Sequence, residues 1–119
     1  MLPSVHKIAL ASNEAELEIL ASPANVQVGG VNEKRGISLA GEVVIIGAYI
    51  QFGSAYSGDV AVEIDRAGMT IRPDIQTLAS SPHFAYSPHE TIAVLPGDTL
   101  RIKCLSAATG NAMFVLRSV

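Results

Sequence analysis

From Gly36 to the end of the chain, apolar and polar residues mostly alternate with a period of two, which predicts β-strands. The clearest run is VAVEID at 60–65, where the charged residues share one side of the strand. The turn sequence Asp65-Arg66-Ala67-Gly68 follows, and glycine tolerates the positive φ that such a turn requires. Residues 60–71 are therefore predicted to form a β-hairpin.

Further short apolar runs are bounded by Gly, Pro and Ser, at 5–11, 75–79, 83–86, 91–95, 99–105 and 112–118. The Thr109-Gly110-Asn111 turn is predicted to join the last two runs as a second hairpin. The runs on either side of Pro96-Gly97-Asp98 can either pair with each other or cross between sheets. About eight short strands in one chain of 119 residues predict an all-β fold, a single-domain antiparallel β-sandwich of jelly-roll type covering residues 1–119.

The N-terminal segment, residues 1–35, is harder to assign. Asn13 followed by Glu16 is typical of a helix N-terminus, which favours a short helix over 13–21. The alternation in Glu16-Leu17-Glu18-Ile19 slightly favours a strand instead, pairing back on 5–11 as a hairpin. Residues 29–36, GGVNEKRG, are predicted to be a polar loop in either case.

Two strands are apolar on both faces, unlike a sandwich strand with one face in water. Along 43–52 the predicted core positions are Val44, Ile46, Ala48, Ile50 and Phe52. Segment 13–21 or another subunit can cover the opposite faces of this strand and the last one, and a misassigned register of the strands is the third alternative. Hydrophobic residues make up 49% of the chain and charged residues only 16%, which favours another subunit. The predicted oligomer interface consists of Val43, Ile45, Tyr49, Gln51, Met113 and Val115.

Charge and composition exclude several classes of partner. A net charge of −3 without a basic cluster gives no basis for binding nucleic acid or an anionic membrane. The 16 uncharged residues at 43–58 are shorter than the roughly 18 to 20 apolar residues of a membrane helix. The start, MLPSVHK, lacks a signal-peptide pattern, so synthesis in the cytoplasm without a cleaved signal is expected. Cys104, the single cysteine, is predicted to be a buried thiol.

One group of residues could suggest a metal site: His83, His89, Glu90 and Asp98. Metal-binding jelly rolls of the cupin family use an H-x-H pair and a distant third histidine. Here the two histidines are six positions apart and the remaining histidine is His6, so no metal site is predicted. With no nucleophile motif and no nucleotide-binding motif, the sequence predicts a protein that is not an enzyme and has no cofactor.

Aromatic residues leave a glycan-binding module as an alternative, since small β-sandwiches stack sugars on aromatic rings. The candidates are Tyr49, Tyr56, Phe84 and Tyr86. The absence of tryptophan argues against this alternative, because tyrosine in a strand is more often packed with its hydroxyl in water.

The layout of the second half carries a family resemblance. VLPGDTLRIKC at 94–104, the Gly110-Asn111 turn and the terminal strand AMFVLRSV resemble the small jelly-roll decoration (cement) proteins of tailed bacteriophage heads. The resemblance implies a homo-oligomer, expected to be a trimer, that stabilises a capsid by binding the major capsid protein or another virion protein. The alternative is a tail or fibre part that binds a glycan or receptor. The predicted partner contacts are Val5, Lys7, Asn32, Lys34 and Arg35.

Overall fold

The computed structural model describes residues 3–11, 13–20, 34–38 and 42–118. Its eight strands are β1 (Ser4–Ala9), β2 (Glu14–Leu20), β3 (Lys34–Ser38), β4 (Val43–Arg66), β5 (Met69–Tyr86), β6 (Ile92–Val94), β7 (Thr99–Cys104) and β8 (Gly110–Ser118). These residues contain no helix, and hence none long enough to span a membrane. The predicted all-β class is confirmed.

The strands form one curled sheet in the order β1-β8-β4-β7-β2-β3, with β5 and β6 also paired to β4. Residues 43–52 of β4 pair with β8, β6 and the end of β5. Residues 58–66 of β4 pair with β7 and the first half of β5. We call the part of the sheet around 43–52 the first layer, with β1 at its edge, and the part around 58–66 the second layer, with β2 and β3. All pairs are antiparallel except β2 with β3.

The sheet curls where β4 passes from one layer to the other. Pairing to β5 is interrupted between Gln51 and Gly58, and Gly58 has a φ of 140°. Phe52 and Tyr56 stack across this corner with ring centroids 4.7 Å apart. The buried Tyr56 hydroxyl donates to the carbonyl of Asp59 at 2.7 Å and accepts from the amide of Ser106, so its burial leaves no unsatisfied polar group.

One hydrophobic core lies between the two layers. Its largest members include Phe84, Phe114 and Leu116 from the first layer. The second layer contributes alternate residues of β2, β7 and β4: Ala15, Leu17, Ile19, Val60, Val62, Ile64, Leu100, Ile102 and Cys104. The inward faces of the layers thus meet as in a β-sandwich, and the prediction of a buried Cys104 is confirmed.

The hairpin predicted at 60–71 is confirmed. Arg66 pairs with Met69, and the two turn residues between them, Ala67 and Gly68, have φ values of 51° and 79°. Two consecutive positive φ values suit the right-handed twist of the flanking strands.

Two predicted pairings and one predicted loop boundary are wrong. Segment 13–21 is a strand over Glu14–Leu20, but β2 pairs with β7 and β3 rather than returning on β1. β7 and β8 are not a hairpin, since β7 pairs with β4 and β2, and β8 with β4 and β1. The predicted polar loop 29–36 is wrong at its end, where Lys34, Arg35 and Gly36 begin β3; residues 29–33 lie outside the described residues.

The strands around the Pro96-Gly97-Asp98 turn cross between the layers. β6 pairs with residues 43–45 of β4 and β7 with residues 60–65. The Asp98 carboxylate, 1% exposed, accepts from the amide of Leu95 at 2.9 Å and from two nitrogens of Arg66 at 2.8 and 3.0 Å. Asp98 therefore holds this turn against the end of β4.

Candidate interaction surfaces

The outward side of the first layer carries a mostly apolar surface. In the sheet register, Lys7, Met113 and Tyr49 lie in one row across β1, β8 and β4, and Val5 and Val115 lie in a neighbouring row. Val5 is 54% exposed, while Tyr49, Met113 and Val115 are half-buried. We define the first-layer face by Val5, Lys7, Tyr49, Gln51, Met113, Val115 and Arg117.

Tyr49 lies flat over Gly47 on this face. A Cβ atom at position 47 would collide with the tyrosine ring, lying 2.7 Å from its Cζ. The glycine therefore lets the ring lie against the strand instead of standing out from it. Beside the ring, Lys7, Gln51, His83 and Asn111 border a depression of about 460 Å³.

A second surface is an open groove bordered by both halves of β5 and by residues 87–93. This groove of about 750 Å³ is lined on its apolar side by Ile64, Ile71, Pro73, Tyr86 and Ile92. Its polar lining includes Asp74, Glu90, His89 and Arg66. We call it the inter-layer groove.

Two acidic side chains dominate the electrostatics of the inter-layer groove. Arg66 is already paired with Asp98, which raises the pKa of its guanidinium. Asp74 accepts from Gln76 at 2.7 Å, and neither Asp74 nor Glu90 forms an ion pair with a described residue. Burial, and secondarily the Asp74 charge, raise the pKa of Tyr86, so this phenol stays neutral. The groove is thus apolar with an acidic rim.

The outward side of the second layer carries an ion-pair network. Glu63, only 4% exposed, binds Arg101 at 2.9 Å and Arg72 at 2.7 Å. Arg101 also binds Asp65 and lies 3.7 Å from Glu16. At the margin of the network, Lys103 lies 3.8 Å from Glu14.

The network shifts the pKa values of its members. Burial alone would raise the pKa of Glu63, but the hydrogen bonds from Arg72 and Arg101 outweigh it and the pKa is lowered. The hydrogen bond from Arg101 likewise lowers the pKa of Asp65. Burial works against the charge of Arg101, yet its bonds to Asp65 and Glu63 raise its pKa. All three groups are therefore charged at neutral pH.

The structure divides the predicted interface residues between two places. Tyr49, Gln51, Met113 and Val115 lie on the first-layer face. Val43 and Ile45 instead point into the core, at 9% and 3% exposure. The reason is a β-bulge in β4: Ile45 pairs with Leu116 but Gly47 with Val115, so the alternation shifts by one residue.

The predicted partner contacts are likewise divided. Val5 and Lys7 share the first-layer face with the predicted interface residues. Lys34 and Arg35 belong to β3, which is at the other end of the strand order from β1. Asn32 lies outside the described residues.

The other candidate chemistry is dispersed. His83 lies on the exposed side of β5, His89 borders the inter-layer groove, and Asp98 is held within its turn. No group of three metal-ligating side chains occurs within the part of the chain that the structure describes. Of the aromatic residues considered for sugar stacking, Tyr56 and Phe84 are core, so no stacking platform forms from the set.

Comparison with known proteins gives a fold match. No protein-family model and no curated protein matches the chain. Among solved structures it is similar to the Drosophila NLP core, whose crystal structure is described in terms of pentamer formation and histone binding. The likeness has a TM-score of 0.51 at 8% identity and covers 97% of this chain and 99% of that chain. At this identity it is a likeness of fold.

This match corrects the predicted function. The prediction of a trimeric capsid decoration protein is wrong, because the solved structure that the chain resembles over nearly its whole length is described in terms of pentamer formation and histone binding. The alternative of a glycan- or receptor-binding tail module has no support from the match either. The β-sandwich architecture predicted with them is retained.

Proposed function

We propose that this protein is a non-enzymatic subunit that associates with copies of itself into a closed ring, with five as the expected number. The observation that carries the proposal is the first-layer face, where Val5, Tyr49, Met113 and Val115 present apolar surface outside the core. The match in fold to a pentamer-forming core supports it, since the likeness covers nearly the whole of both chains. Apolar surface of this kind on a small low-charge chain is typical of subunit interfaces.

The mass of the protein in solution tests the proposal. Light scattering after gel filtration should give five copies of the 12.4 kDa chain, about 62 kDa, at micromolar concentration. Met113→Asp should reduce this mass to that of a monomer without unfolding the chain, because Met113 lies outside the core cluster. A wild-type chain that stays at 12.4 kDa across this concentration range would refute self-association.

A second candidate function is the binding of a basic protein such as a histone. Two observations favour it: the fold match is to a histone-binding core, and 11 acidic residues outnumber 8 basic ones. The acids of the second-layer network are already paired, whereas Asp74 and Glu90 of the inter-layer groove form no ion pair with a described residue and are available to a partner.

A histone-binding assay separates this candidate from self-association. Purified histones should co-elute with the protein at low salt and separate at high salt, because exposed ion pairs are screened. Poly-lysine serves as the control for general charge attraction. Equal retention of histones and poly-lysine would contradict a specific histone site.

A further inference from the structure

A closed ring of five identical chains requires two different contact surfaces on each chain. A five-fold ring has no two-fold axis relating neighbours within it, so each contact is heterologous: one patch of a subunit meets a different patch of the next. An apolar first-layer face by itself supplies only one of these patches. The partner patch must lie elsewhere on the same chain.

The inter-layer groove has the chemistry of that second patch. It is open to solvent, about 750 Å³ in volume, and lined by Ile71, Pro73 and Ile92. Ile71 is 41% exposed there, although it is the direct cross-strand partner of the buried Ile64. The groove is therefore core-like surface that the chain does not cover among its described residues.

The charges of the two surfaces are complementary. The charged strand residues of the first-layer face are Lys7 and Arg117, both exposed and neither in an ion pair with a described residue. The acids of the groove are Asp74 and Glu90, which likewise lack a described ion-pair partner. Apart from Arg66 of the groove, which is ion-paired with Asp98, the charges beside each apolar surface have one sign, and the two signs are opposite.

We infer that the first-layer face of one copy docks on the inter-layer groove of the next copy, with Lys7 and Arg117 facing Asp74 and Glu90 across the contact. This inference rests on the proposed self-association and assigns its two contacting surfaces. Burial of Val5 and Met113 against Ile71 and Ile92 supplies the apolar contact. The opposite charges determine which surface of one copy meets which surface of the next.

Charge reversal tests the pairing. The double variant Lys7→Glu with Arg117→Glu should dissociate the wild-type oligomer, raising its dissociation constant by about tenfold or more because like charges then face each other. The double variant Asp74→Lys with Glu90→Lys should do the same. A chain with all four substitutions restores opposite charges and should regain the oligomeric mass.

A matched control reverses the same number of charges elsewhere. Glu14→Lys with Lys103→Glu inverts a pair on the outward side of the second layer, so the oligomeric mass should be unchanged. Should a reversal variant fail to fold by circular dichroism, the milder set Lys7→Gln with Arg117→Gln replaces it. That set should weaken association less and reduce its dependence on salt.

The outcomes separate the two levels of the proposal. A wild-type oligomer whose mass resists either double reversal would overturn the assigned surfaces and leave self-association standing. The assigned surfaces are also overturned if the folded four-fold variant stays monomeric while each double variant does so too. A monomeric wild-type chain would overturn self-association itself.

Discussion

The two outward faces of the curled sheet differ in chemistry although β4 runs through both. On the second layer, Glu63 and Asp65 both form ion pairs with Arg101, so these charges are compensated within the chain. On the first layer, Tyr49, Met113 and Val115 leave apolar surface partly in water, and Lys7 has no ion-pair partner among the described residues. One face serves stability, and the other is available for a partner.

The contrast separates two explanations of the low charge content. A small chain can carry few charges because its core is large, or because part of its surface is an interface. Here the charges are concentrated on the second layer, where a buried carboxylate such as Glu63 is held by two arginines. Apolar side chains outside the core therefore occur on the first layer, but also on β5, where Met69, Ile71 and Ile75 are exposed.

The largest expected effect distinguishes the core side of β4 and β8 from their outward side. Ile45→Asp places a carboxylate in the core beside Leu116 and should cost about 4 kcal/mol or more, a large part of the free energy of unfolding of a domain of this size. Met113→Asp should leave the free energy of unfolding of the monomer within about 1 kcal/mol. Urea denaturation of both variants measures the difference, and equal destabilisation would place Met113 in the core.

A smaller effect compares one cation from each face. Arg101→Leu leaves Glu63 with Arg72 alone and Asp65 without its arginine, and should destabilise the protein by about 2 kcal/mol. Lys7→Leu should change the free energy of unfolding by no more than about 0.5 kcal/mol, because an exposed lysine without an ion pair contributes little. Chemical denaturation of the two variants checks this, and a similar loss in both would remove the distinction between the faces.

Acid should remove the stabilising contribution of the ion pairs on the second layer. The folded-state pKa values of Glu63 and Asp65 lie below their ordinary values of 4.5 and 3.8, so the unfolded chain binds more protons in acid. Their contribution to stability is therefore complete above pH 4.5 or so and is lost as the pH falls through the lowered values. Thermal unfolding from pH 7 downwards should show this decline, and Glu63→Gln should flatten it. An unchanged slope in that variant would contradict the role of Glu63.

The smallest expected effect concerns the rate at which the buried Cys104 thiol is labelled. Burial raises the pKa of Cys104 to about 11, so at neutral pH it should react with a disulfide reagent only when the structure opens. Met113→Asp should leave the labelling rate unchanged, whereas Arg101→Leu should raise it about tenfold for each 1.4 kcal/mol of lost stability. Rapid labelling of the wild-type chain would contradict a closed core at the end of β7.

Local patterns in the sequence predict the elements better than their pairing. Alternation at 60–65 and the following turn fix the hairpin, because both signals lie within one short segment. The partners of β2 depend on contacts far along the chain, and nothing near Glu14 or Glu16 specifies β7 or β3. The Ser and Pro residues near Ser80 predict a break between the runs 75–79 and 83–86, but β5 continues through Ser80, at a φ of 45°. Tertiary contacts override the local signal there.

The candidate surface could be predicted in part. Apolar residues on both sides of two strands identify Tyr49, Met113 and Val115, whose outward position the structure bears out. The run VVIIGAYI does not predict the bulge that turns Ile45 inward. Its first four residues are all aliphatic, so no apolar-polar alternation marks which of them face the core. Lys7 joins the face only through the register of β1 with β8, which no local pattern encodes.

The path of β4 through both layers bears on how the protein can come apart. This strand of 24 residues pairs with β5, β6, β7 and β8. Both layers therefore depend on β4 for their backbone hydrogen bonds. Separating the layers would break the ladder of β4 and expose the shared core at once. The protein should therefore melt as a single cooperative unit, with the amides of β4 at 48–51 and 60–62, which pair on both sides, exchanging their hydrogens only through global unfolding.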